Sequence, residues 1–205
     1  MLEHIPAWLG ASLRSVRAGA DKLAITQPNL GDFSYIDLAS PAFANGAALP
    51  PRFTADGAGL SPPLVWGEVP PDTKSLALIV EDFDAPSPHP FVHAIIWGMA
   101  SDAHRLGEGD IVADGDGGGE GDVGRNSYLR EGWLPPDPPY GHGLHHYAFQ
   151  LFALSGAHDP GPSPGRNAFL DAIRGHVIAA GLLIGTYTRD EAAPDPAFRP
   201  ATAPG

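Results

Sequence analysis

The stretch HPFVHAIIWGM, His89–Met99, carries a histidine at position 93 and then runs apolar from Ala94 to Trp97. An unbroken run of this length, rich in Ile and aromatic residues, predicts a buried strand. An imidazole at the mouth of such a strand is unusual, because a buried polar group needs a partner. Two further stretches share the pattern. SLALIV at Ser75–Val80 predicts a buried strand that runs into the acidic turn EDFDAP, and YAFQLFAL at Tyr147–Leu154 predicts a third strand, preceded by PPYGHGLHH. Each strand core thus carries Asp or His at one end.

Outward from these three strands the chain reads as short extended pieces broken by Pro and Gly: FSYIDL from Phe33, RFTADG from Arg52, PPLVW from Pro62 and LIGTYTR from Leu183. Gly (26) and Pro (23) make up nearly a quarter of the 205 residues, which favours turns and short strands over a helical bundle. Phe169, Ala172, Ile173, His176, Val177 and Ala180 recur at helical spacing and predict a helix that Gly181 either ends or interrupts. Near the N-terminus Ile5, Trp8, Leu9, Leu13 and Val16 form an apolar stripe. It predicts an amphipathic helix that either caps the domain's own core or meets a partner, most simply a second copy of the chain. The expected fold class is mainly β: a single-domain β-sandwich with peripheral N- and C-terminal helices. Its expected organisation is a helix and linker over 1–30, the sandwich over 31–190, and a Pro/Ala-rich tail over 191–205.

Composition excludes several functions. There is no cysteine, so disulfides, thiolate metal sites and a cysteine nucleophile are out. A net charge of −12 argues against a nucleic-acid partner and against anionic lipid surfaces, but leaves room for one small anion in a local pocket. No apolar run approaches the ~20 residues of a membrane span. The N-terminus makes a poor secretory signal, so a cytoplasmic protein is expected. The acidic, Gly-rich DIVADGDGGGEGDVGRNSY, from Asp110, lacks the terminal Glu of a calcium loop. Ser127 lacks the elbow of a serine hydrolase, and it and Asn126 are expected to make local backbone bonds.

The polar residues at the strand ends define a candidate site, since strand ends of a sandwich gather at one rim. Side chains alternate along a strand, so His145 and Tyr147 share one face and His146 takes the other. Alternation nominates His145 and Tyr147 as one wall of a pocket, with Asp82, Asp84 and His93 at the ends of the other strand cores, and His142 and His146 are expected outside it. Pro135, Pro136, Pro138 and Pro139 would stiffen the bordering loop. Imidazole and phenol donors suit an anion, and a nearby Asp can orient an imidazole. The alternative is a metal-dependent hydrolase built on the same Asp/His cluster.

These segments resemble the phosphatidylethanolamine-binding protein family, in its bacterial Raf-kinase-inhibitor-like branch. SPAF, ALPPRFTADGAGLSPPLVWGEVPPDTKSLALIVEDFDAP, FVHAIIW, GRNSY, GHGLHHYAFQLFAL and IRGHVIAAGLLIGTYTR occur in family order from about Ser40 to Arg189. The resemblance implies a β-sandwich with a rim pocket for a small anion or phospholipid head group, and no cofactor. It implies ligand-binding roles for Asp82, His93, His145 and Tyr147, a shaping turn at Asp84 and Pro86, and a backbone contribution from Gly143. It also implies a non-catalytic, regulatory role, with a homodimer and an unidentified kinase or protease target as partners. Phe83 stands where the family commonly has Pro, His146 where it commonly has Arg, and REGWLPPD (130–137) departs from the usual approach to the second signature. Anion affinity is expected to rise as pH falls from about 8 to 6, with charge outweighing burial at the imidazoles.

Overall fold

The computed structural model describes residues 17–115, 121–156 and 159–189. Among the described residues nine strands form two sheets. They are β1 (Ser34–Tyr35), β2 (Leu38–Ala39), β3 (Leu64–Trp66), β4 (Ser75–Asp82), β5 (Phe91–Met99), β6 (Arg105–Leu106), β7 (Asp122–Val123), β8 (His145–Leu154) and β9 (Val177–Tyr187). The large sheet has the order β1-β9-β8-β4-β5-β7, antiparallel except for β1 beside β9, and the small sheet has the order β2-β3-β6.

The central strands carry long apolar runs because both faces of the large sheet are covered. On β4, Leu76, Leu78 and Val80 face the small sheet among Leu38, Leu64 and Trp66, while Ala77 and Ile79 face a second core with Leu30, Phe169 and Ile173. On β8 the same alternation sends Phe149 and Leu151 to the first core and Phe152 and Leu154 to the second. The second core is closed by helix α1 (Arg166–Ile173) and by residues 17–30, which form two 3-10 turns at Ala20–Lys22 and Ala24–Thr26.

Two expectations need correction. The helix does not reach Ala180. It ends at Ile173, Gly175 (φ +72°) turns the chain, and the strand begins at Val177, well before Leu183. Ala179 and Ala180 face opposite cores, the period of a strand. Small residues here serve close packing: a Cβ at Gly181 would lie 2.7 Å from the Ile36 carbonyl oxygen. RFTADG is not extended either; Pro51–Phe53 is a 3-10 turn with Pro at its start and Phe53 fully buried. The N-terminal amphipathic stripe and the 191–205 tail lie outside the described residues.

Strand direction places the site. β4 runs antiparallel to both its neighbours, and its last residue, Asp82, pairs with Phe91 at the start of β5 and Tyr147 near the start of β8. Asp82, His93 and His145 therefore meet at one end of the sheet.

Candidate functional site

Asp82 ends β4 with its carboxylate buried. Its Oδ1 accepts the Asp84 N–H at 2.8 Å, closing the turn that carries the chain through Ala85, Pro86 and Ser87. Its Oδ2 lies 2.6 Å from His145 Nδ1. The other nitrogen of His145, Nε2, lies 2.7 Å from Nδ1 of His142. With the His145 Nδ1–H donating to the carboxylate, Nε2 accepts from His142 and neither ring nitrogen is left over. Asp82, His145 and His142 thus form one buried chain of hydrogen bonds.

His93 is arranged differently. Its Nδ1 sits 2.6 Å from the Leu134 carbonyl oxygen, which can only accept, so Nδ1 carries a proton. The Leu134 N–H donates back to the His93 carbonyl at 2.8 Å, which fixes the 130–137 segment against β5. Nε2 is buried and meets no hydrogen-bonding group of the protein. The ring is held by edge contacts with Tyr147 (5.0 Å, 84°) and Phe91 (5.6 Å, 61°). Burial pushes the His93 pKa below its ordinary value, against the pull of the Asp82 charge.

These groups border a cavity of about 160 Å³. Its ionisable acid and imidazole groups are Asp82, His93, His145 and Asp137, Ser87 and Tyr128 add hydroxyl-bearing side chains, and Phe91, Leu134, Pro135, Pro138 and Pro139 make the rest largely apolar. Asp137 is ion-paired to Arg189, whose guanidinium also holds the Asp56 carboxyl below the usual carboxylate range. Asp82 is engaged by His145, so both carboxylates of the wall already have donor partners.

The structure brings Asp82, His93, His145 and Pro86 to this cavity. It sets the other predicted residues apart from it. Tyr147 stands behind His93, fully buried, with its hydroxyl unpartnered and its pKa driven well up by burial. Asp84 faces away from the cavity: Arg17 and both the backbone N–H (2.8 Å) and Nδ1 (2.6 Å) of His146 bind its carboxylate. Gly143 (φ +100°) turns the chain between His142 and His145 and does not line the cavity. His146 lies outside it as expected, its ring stacked on Phe83 at 5.3 Å.

Sequence reasoning missed Asp137, Phe91 and Tyr128 in the lining and left His142 out of the site. Asn126 bonds locally as expected, but Ser127 instead clips β5, exchanging hydrogen bonds with the Val92 backbone. Among the described residues no group of three His, Asp or Glu side chains is arranged to hold a metal ion. Among the same residues no helix is long and apolar enough to cross a membrane.

A two-sheet fold with a His-and-Asp cavity at the end of its central strands defines a class: the phosphatidylethanolamine-binding-protein type of β-sandwich. The chain belongs to the phosphatidylethanolamine-binding protein family, whose sequence signature matches residues 39–188. A UPF0098 protein of Methanothermobacter thermautotrophicus is 39% identical over 155 residues, 75% of this chain and 99% of that protein. A UPF0098 protein of Chlamydia pneumoniae is 37% identical over 158 residues, 75% of this chain and 99% of its own length. Among solved structures, a phosphatidylethanolamine-binding protein homologue from Chlamydia trachomatis is 32% identical with a TM-score of 0.68, covering 77% of this chain and 99% of that one. Escherichia coli YbcL is 26% identical, also with a TM-score of 0.68, covering 76% and 99%.

Proposed function

We propose that the protein binds a small anion, or the anionic part of a phospholipid head group, in the rim cavity without transforming it. The observation that carries this reading is His93 Nε2, a buried ring nitrogen on the cavity wall with no protein partner. An unmet polar atom in a low-dielectric pocket is costly, and a ligand that meets it recovers that cost. Because Nδ1–H is committed to Leu134, Nε2 donates only when the ring is protonated. An anion then gains a charge-assisted bond, stronger than a neutral one. His145, bonded at both nitrogens, contributes through Asp82 and His142 as a fixed wall rather than as a free donor. A head group such as phosphoethanolamine suits the cavity's size, its apolar rim receiving the attached carbons. A second copy of the chain, meeting the N-terminal apolar stripe, is the protein partner this reading favours.

The pH dependence follows from the sign at His93. Burial lowers its pKa in the free protein, and a bound anion raises it, so binding takes up a proton between those two values. Affinity therefore rises as pH falls through and below the ordinary His value of ~6.5. In the free protein burial is the larger effect, and the gain continues to lower pH. Sulfate, a dianion throughout the range, is the suitable probe. Calorimetric titration should show sulfate affinity about three- to tenfold higher at pH 5.5 than at pH 7.5, with a buffer-dependent heat that reports proton uptake. Affinity that is flat or falls toward low pH contradicts the reading.

A further inference from the structure

We infer that Arg17, on a segment N-terminal to the family-matched region, is a positioning residue for the anion pocket and supplies the cation that strand β8 lacks at His146. The inference rests on the binding function proposed above and deepens it.

The family signature begins at residue 39, and a relative covered over 99% of its length takes up only 155 residues of this chain. Residues 17–22 lie before that region, yet they run along the pocket's lip. The Ala18 N–H donates to the Ala85 carbonyl at 3.0 Å and the Gly19 N–H to the Phe83 carbonyl at 2.9 Å. Lys22 Nζ donates to the Pro88 carbonyl at 3.1 Å. The strap therefore grips the backbone on both sides of Ala85, Pro86 and Ser87, three residues of the cavity wall.

Arg17 anchors its leading end. The guanidinium is ion-paired to Asp84 Oδ1 and donates to the Leu144 carbonyl at 3.0 Å. Asp84 Oδ2 is taken by His146 through its backbone N–H and Nδ1. An imidazole gives Asp84 one ring donor and a charge only when protonated, whereas an arginine gives a permanent charge and a fork of donors. Arg17 fills the oxygen that His146 leaves. The consequence reaches the pocket in two bonds: Asp84, held by its carboxylate, donates its N–H to Asp82 Oδ1, and Asp82 orients His145.

The test compares wild type, Arg17→Ala, Arg17→Lys and the double variant Arg17→Ala/His146→Arg as full chains. Two measurements are needed: sulfate affinity at pH 6 by calorimetry, and hydrogen exchange of the Asp84 and His146 amides without ligand. Arg17→Ala should weaken sulfate binding about fivefold and speed exchange at both amides about tenfold. Arg17→Lys should stay within about twofold of wild type, and His146→Arg should restore both readouts in the alanine background. A purely structural loss would not be rescued by a new cation at position 146. Unchanged exchange and affinity in Arg17→Ala overturn the inference, as does failure of His146→Arg to restore either. If wild type binds no sulfate while exchange responds and is rescued as stated, the anion reading fails and the positioning of the lip by Arg17 stands.

Discussion

Arg166→Ala is expected to destabilise the protein by about 3 kcal/mol, the effect of removing one partner of a buried ion pair. Glu81 is fully buried beside the pocket strand's last residue. Its Oε1 accepts from Arg166 Nε at 2.6 Å, and its Oε2 accepts from the Ala24 N–H and Gln150 Nε2, both at 2.8 Å. Without Arg166 one carboxylate oxygen is left in the second core with no donor, and the Lys22 carbonyl loses its own bond from Arg166 Nη2. For a chain of this size the loss corresponds to a fall in Tm of about 6–12 °C. Adding Glu81→Gln should recover part of it, because a neutral amide costs less to bury without a cation than a carboxylate does. Thermal and denaturant unfolding of the three proteins checks this. A loss under about 1 kcal/mol, or a double variant worse than the single, contradicts the account of this network.

The second large effect is on binding. His93→Gln should weaken sulfate binding by about ten- to a hundredfold at pH 6, the range of a charge-assisted hydrogen bond worth ~1.5–3 kcal/mol. Glutamine keeps a polar side chain on the cavity wall but offers no group that gains charge as pH falls. The residual affinity should therefore lose its pH dependence. His146→Ala should bind within about twofold of wild type at pH 6 while Arg17 is present, since Arg17 and the backbone N–H of residue 146 still hold the Asp84 carboxylate. Calorimetric titrations of the two variants separate the roles: retention of both affinity and pH dependence in His93→Gln is the contrary result.

The fold was legible where burial on both sheet faces forces a continuous apolar run. SLALIV, VHAIIWGM and YAFQLFAL each became a central strand because mostly apolar side chains fill both cores, the polar His93 and Gln150 among them being hydrogen-bonded to Leu134 and Glu81. Strand alternation also separated His145 from His146 correctly. β9 was misread in part because its alanines and glycines have little intrinsic pattern. Val177 and Ala180 lie in the same core as Phe169 and Ile173, so a helical stripe and a strand bury an overlapping set of residues. The site was legible only to the depth of single residues. That His142 bonds His145 depends on the left-handed turn at Gly143, and that Asp137 is neutralised depends on Arg189, 52 residues away. Asp84 and Arg17 are 67 residues apart, and no periodicity links them. Hydrogen bonds between distant loops follow from the packed fold, so no local pattern announces them.

The most direct test of the central claim is the titration of the His93 ring nitrogens by NMR, with and without saturating sulfate. The account predicts that His93 titrates below ~6.5 in the free protein, and that its midpoint rises when sulfate binds, with Nε2 protonated in the complex. A His93 midpoint that stays where it was while sulfate occupies the protein would contradict it.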